Sequence, residues 1–98
     1  MTNYNNIEGI CNDHAKERLE EFQKTFNPSV LKVKDFVKTQ IIVSEDGKIE
    51  HMWVQIDSIY KNHIIGKLDN TPFYENPIVN LGDKIKVKFK DISAIYNL

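Results

Sequence analysis

The sequence predicts an α+β domain in which an N-terminal amphipathic helix packs on a curved four-stranded antiparallel meander. Three observations carry that expectation. Ala15, Leu19, Phe22 and Phe26 recur at helical spacing before Pro28. After Pro28 the apolar period falls to two, the repeat of a strand. Turn formers at Ser44-Glu45-Asp46-Gly47-Lys48 and Lys61-Asn62 then divide the period-two region into strands.

A chain of 98 residues suits one modest core, placed here at residues 11–98 behind a flexible segment over 1–10. That first segment is polar and Asn-rich, with Ile7 and Ile10 as its apolar anchors. The helix is expected to start at Asn12 or Asp13, whose side chains accept from early helical N–H groups. It ends at Asn27-Pro28, because proline disfavours helical geometry in the residue before it. Lys16, Glu17, Glu20 and Lys24 form its solvated face, with four-residue pairs worth a few tenths of a kcal/mol each.

The first strand places Val33, Val37, Ile41 and Val43 on one face, interrupted by Asp35 and Thr39, and Phe36 and Ile42 on the other. Gly47 supplies the positive φ of a hairpin leading to a second strand over about Ile49 to Ile59. Register decides the next connection to His63–Leu68. A two-residue turn at Lys61-Asn62 sets Val54 and Ile56 against Asp69 and Lys67. Pairing Ile59 with His63 sets them against Leu68 and Gly66. The second register buries like with like, so a three-residue loop or a bulge is expected. A polar connection from Asp69 to Gly82 precedes the last strand, Lys84 to Lys90, where Ile85, Val87 and Phe89 alternate inward and the lysines outward. Strand twist and a bend at Gly66 would curl this meander towards a small half-open barrel.

The same alternation turns Trp53 away from Met52, Val54 and Ile56, towards a second apolar face that includes Phe36 and Ile42. The helix needs a surface for Leu19, Phe22 and Phe26, and the burial tendency of tryptophan favours a helix lying over Trp53. The competing reading is an exposed anchor, since an indole offers large contact area and an N–H donor.

Glu50 with Met52-Trp53-Val54, then Gly66, Leu68, Asn70 and Pro72, then Leu81-Gly82-Asp83 and Ile92-Ser93 together resemble the bacterial family of uncharacterised proteins called domain of unknown function 2314. The resemblance runs from about the helix to near the last residue. The family usually follows the isoleucine and serine with an aspartate and a tryptophan, where this chain has Ala94 and Ile95. It implies a small domain, found alone or attached to others, with no assigned activity.

Trp53, Glu50, Asn70 and Pro72 are the candidate binding residues, and the expected function is a non-enzymatic, regulatory or immunity-like module that recognises a protein partner. A cleft beside Glu50, with His51 and Asp57, is the alternative for a small-molecule-binding domain or minor hydrolase. Weak nucleic-acid binding through Lys84, Lys86, Lys88 and Lys90 is the third reading. It is disfavoured because Phe89 turns inward and leaves no stacking partner, and because edge lysines commonly block sheet-to-sheet association. A net charge of −1 names no polyanionic partner.

No catalytic set is expected. Glu50 and His51 are strand neighbours whose side chains diverge. Cys11, His14, His51 and His63 lack the paired spacing of a zinc site, so neither metal nor cofactor is expected. A lone cysteine, no apolar run of membrane-spanning length and no signal-like start together indicate a cytoplasmic protein. Oligomeric state is not legible in the sequence.

Overall fold

Five strands form one antiparallel sheet beside a long helix in the computed structural model, which describes the backbone of residues 6–98 and the side chains of residues 16–98. Of the flexible segment expected at 1–10, residues 1–5 therefore lie outside the described residues. The helix α1 spans Asn6–Thr25, and a 3-10 turn spans Pro28–Val30. The strands are β1 (Phe36–Ile42), β2 (Ile49–Ile59), β3 (His63–Leu68), β4 (Lys84–Lys88) and β5 (Ala94–Tyr96). Their spatial order is β4-β3-β2-β1-β5.

Several expectations are corrected. The helix starts earlier than Asn12, because asparagines and aspartates scattered through this region offer several equivalent caps and sequence alone singles out none. Asn27 is the residue that caps, its Oδ1 accepting from the Ser29 N–H at 3.0 Å at the start of the 3-10 turn. Val33 is 49% exposed and not part of the inner face. A turn intervenes in which Asp35 N–H donates to the Lys32 carbonyl and Lys34 takes a φ of 84°. That left-handed conformation is strained for a residue with a Cβ. β4 ends at Lys88, and a fifth strand of three residues was too short for its period to register.

The β1–β2 hairpin is the expected one. Gly47 has φ 91°, its N–H donates to the Ser44 carbonyl, and Lys48 N–H donates to Ser44 Oγ at 2.9 Å. The Ser44 hydroxyl donates in turn to Asp46, and this hydrogen bond holds the Asp46 carboxyl below the usual carboxylate range.

Between β2 and β3 both candidate registers occur, one on each side of a bulge. Val54 pairs with Leu68 and Ile56 with Gly66, whereas Ser58 pairs with Ile65 and Ile59 with Ile64. The shift lies between Ile56 and Ser58. Tyr60 N–H donates to the His63 carbonyl at 2.8 Å, so Lys61 and Asn62 do form a two-residue apex. At Gly66 the strands approach so closely that a Cβ would stand 2.1 Å from the Gln55 carbonyl oxygen and 2.7 Å from a Val54 methyl.

The inner face gathers Val37, Ile41, Met52, Val54, Ile56, Ile64, Leu68 and Val87, with Leu31 and Val43 from the flanking turns. Full burial of each aliphatic side chain is worth roughly 1.5–3 kcal/mol. After β4 the chain crosses this face. A 3-10 turn over Phe89–Asp91 carries it from the β4 edge to β5 at the other edge and buries Ile92 completely. The crossing strap is fastened by polar groups: Thr39 Oγ donates to Asp91 O at 2.9 Å, Ser93 N–H donates to Lys38 O at 2.9 Å, and Gln23 Nε2 donates to Phe89 O and Ile92 O at 3.0 and 2.7 Å. Phe22 and Phe26 pack against the core here, and Phe26 meets Phe89 edge to face at 6.5 Å. The sheet is open and not a half-barrel, because a strap of irregular chain, not a ladder, spans the gap between its edges.

Asp35 is a buried carboxylate that accepts from Leu98 N–H at 3.0 Å and Asn97 Nδ2 at 2.6 Å. The Leu98 N–H, then the Asn97 amide, hold its carboxyl below the usual range. A depressed folded-state pKa contributes stability above the unfolded value, near 3.9, and the contribution is lost as pH falls through the folded value. Asp35→Asn should therefore flatten the acid limb of a stability-against-pH curve, measured by denaturant midpoints. Parallel wild-type and variant curves would contradict the assignment. Gly66→Ala should destabilise the fold by about 3 kcal/mol or more, since the clash is with backbone. A loss under about 1 kcal/mol in the same assay would refute the close approach.

Candidate functional site

Alternation along β2 sends the Trp53 side chain to the outer face of the sheet, where it pairs across the ladder with Lys38 of β1. Lys38 Nζ stands 5.7 Å from the indole centroid, within cation–π range. β5 adds Tyr96, which pairs with Phe36 and meets Trp53 edge to face at a centroid distance of 6.4 Å. The Phe36 and Tyr96 rings lie 6.0 Å apart. Phe36, Trp53, Asp69 and Tyr96 line an open recess of about 290 Å³. Trp53 is half-buried, and Tyr96 is 60% exposed.

Among the described residues, no side chain of the helix expected over Trp53 lies against the indole. Among the described residues, the groups against the indole come from β1, β5 and Asp69, whereas α1 docks through Phe22 and Gln23 on the core and on the crossing strap. The second apolar face is thus shared: Leu19 of α1 lines one hollow with Ile42 and Ile49, and the short β5 supplies the neighbour of Trp53.

Asn70 and Trp53 do come together, through backbone. Trp53 N–H donates to Asn70 Oδ1 at 2.6 Å and Asp69 N–H donates to Trp53 O at 2.9 Å. The Asn70 amide oxygen takes the place of a main-chain carbonyl where β3 leaves the ladder. Glu50 projects to the opposite face from the indole, and both its oxygens are engaged: Oε1 accepts from Phe73 N–H at 2.8 Å and Oε2 from Tyr74 N–H at 2.7 Å. Pro72, the residue before these two amides, is buried. Ile78 N–H donates to Val43 O, and Asn80 N–H to Asp83 Oδ2, so the long connection is tied down along its length.

The clamp at Glu50 holds Phe73 in the open, 95% exposed. Sequence reasoning missed it, because a phenylalanine outside any periodic run carries no directional signal; its place directly after Pro72 was the available hint. His51 projects to the same side as Trp53 and away from Glu50, as the alternation requires, and Asp57 is exposed at the bulge. Lys84, Lys86 and Lys88 are exposed along β4, an edge strand, while Lys90 lies on the crossing turn. Phe89 faces Phe26. The side chains of Cys11 and His14 lie outside the described residues. Among the described residues, no group of three potential ligands converges for a metal, and no helix is long and apolar enough to cross a membrane.

These features define a small α+β domain with an aromatic recess on the outward face of an open antiparallel sheet. The chain belongs to the family described as an uncharacterised protein conserved in bacteria, domain of unknown function 2314, whose model matches residues 9–96. No curated protein and no solved structure matches it.

Glu50→Ala should lower stability by about 1–3 kcal/mol, the penalty for leaving two amides without their acceptor. Amide hydrogen exchange at Phe73 and Tyr74 should accelerate at least about tenfold while Val54 and Ile56 stay protected, a local opening. Unchanged exchange at both amides would show that the carboxylate does not hold the loop.

Proposed function

We propose that this domain is a non-enzymatic cytosolic interaction module that recognises a protein partner through the outward aromatic recess. The observation that carries the reading is the convergence of Phe36, Trp53 and Tyr96 around an open recess of about 290 Å³. Aromatic rings of this kind anchor interfaces by presenting large rigid area at low entropic cost. Charge sets the chemistry of the occupant. Lys38 lies against Trp53, and Asp69 lines the recess. The fitting segment is an apolar side chain flanked by an acidic group towards Lys38 and a donor towards Asp69.

The rim has the rigidity such a role needs. Asn70 fixes the Trp53 backbone, so the indole is held from behind by a polar contact that a partner does not disturb. The Glu50 carboxylate, committed to two loop amides, serves the same scaffold.

Site-specific photo-crosslinking in the native host tests the reading. A benzophenone side chain placed at Tyr96 should give a discrete protein adduct that the same group at Lys86 on β4 does not. With the captured partner purified, Tyr96→Ala should weaken binding by about 2 kcal/mol while leaving the fold intact, as a hot spot on an exposed edge does. Identical adduct patterns from the two positions, or none from position 96, would defeat the proposal.

A further inference from the structure

Beside the aromatic recess, between α1 and the outer face of β1 and β2, lies a second hollow of about 170 Å³ lined by Arg18, Lys38, His51, Ser93 and Ala94. An adjoining recess shares His51 and Ser93 and continues towards Leu19, Gln40, Ile42 and Ile49, with Asp91 at its margin. One cationic residue from the helix and one from the sheet therefore line one small space. Among the described residues neither has a carboxylate partner, and the one salt bridge is Lys24 with Glu21 at 3.5 Å. Two cations that line one hollow set a positive local field, which favours an incoming anion.

The remaining wall groups fit that polarity. Ala94 brings no charge. The Ser93 hydroxyl donates to Lys38 O at 3.2 Å, so among the described residues the side chains that bring charge to the lining are Arg18 and Lys38. Gln40 Nε2 lies 3.1 Å from His51 Nε2 at the same wall. Burial first, then Lys38 and Arg18, push the His51 pKa below the ordinary imidazole value. The imidazole thus reports the local field.

We propose that this hollow binds the phosphate group of a small phosphorylated molecule, with Arg18 and Lys38 as its charge-assisted donors. Two positive charges match a dianion better than a monocarboxylate, and a planar guanidinium grips phosphate oxygens bidentately. The size of the hollow selects a compact ligand over a polymer backbone, which would follow an extended row of cations. The site is separate from the lysines of β4, at the other edge of the sheet.

The test follows the His51 ring by NMR in the full chain at constant ionic strength, titrating inorganic phosphate and glycerol phosphate against acetate and chloride. Both phosphates should shift the ring signals saturably and move the His51 pKa upward, because the anion offsets Lys38, Arg18 and the desolvation cost; Asp91, at the margin, is present in every arm. Arg18→Gln and Lys38→Gln, which remove the charge and keep a polar side chain, should each weaken the response at least about tenfold, and Arg18→Lys should recover part of it. Equal shifts with acetate and chloride, response to inorganic phosphate alone, or an unchanged response in the Arg18→Gln, Lys38→Gln double variant would each overturn the proposal.

Discussion

The close approach of Gly66 to the Gln55 carbonyl governs the rest of the structure. β2 has two demands on its pairing with β3: a two-residue apex at Lys61-Asn62, and apolar matching of Val54 with Leu68. These differ by one residue, and the bulge between Ile56 and Ser58 absorbs the difference. A bulge adds local twist and bends its strand, and only a residue without Cβ fits beneath the bend. One glycine thereby keeps a whole inner face in phase. A slip of one residue would turn Val54 and Ile56 outward and Trp53 inward.

The outward aromatic face is a consequence of that phase. Once Val54 and Ile56 are committed to the core, Trp53 has no route to it, and the chain covers its indole partly with a three-residue strand. The polar side chains around it serve geometry more than chemistry. Asn70 extends a ladder past its last strand residue, Glu50 receives two loop amides, and Asp35 receives Leu98 N–H and the Asn97 side chain. Each replaces a backbone partner where regular structure stops, which is how a chain of this length keeps a long connection and a crossing strap ordered. Phe73 is a different case. Its full exposure is a single apolar ring on a clamped loop, whereas Phe36, Trp53 and Tyr96 converge, and convergence weighs more for recognition than exposure alone.

Most strands were legible because period-two alternation is a physical requirement of a half-buried sheet. β2 and β3 have the bounds that Ile49–Ile59 and His63–Leu68 suggest, and the bulge followed from matching apolar residues across the pair. What escaped was set by tertiary contact. Ala94–Tyr96 forms a strand because the crossing strap delivers it to the free edge of β1, not because three residues show a period. The early start of α1 depends on a choice among equivalent caps. At the site, the outward turn of Trp53 and the divergence of Glu50 from His51 were readable from alternation. The identity of the covering element was not, since Leu19, Phe22 and Phe26 match either face; Gln23, whose amide reaches two strap carbonyls, decides it. The hollow between Arg18 and Lys38 joins residues from the helix and the first strand that nothing in their spacing connects.

Because Trp53 is the single tryptophan of the chain, its fluorescence reads the central claim directly. Acrylamide should quench the folded protein with an efficiency between those of a buried and a free indole, and Tyr96→Ala, by removing the ring at the lip of the recess, should raise it towards the free value. Complete protection from acrylamide in both proteins would mean that the indole is enclosed and that the outward face offers no recess to a partner.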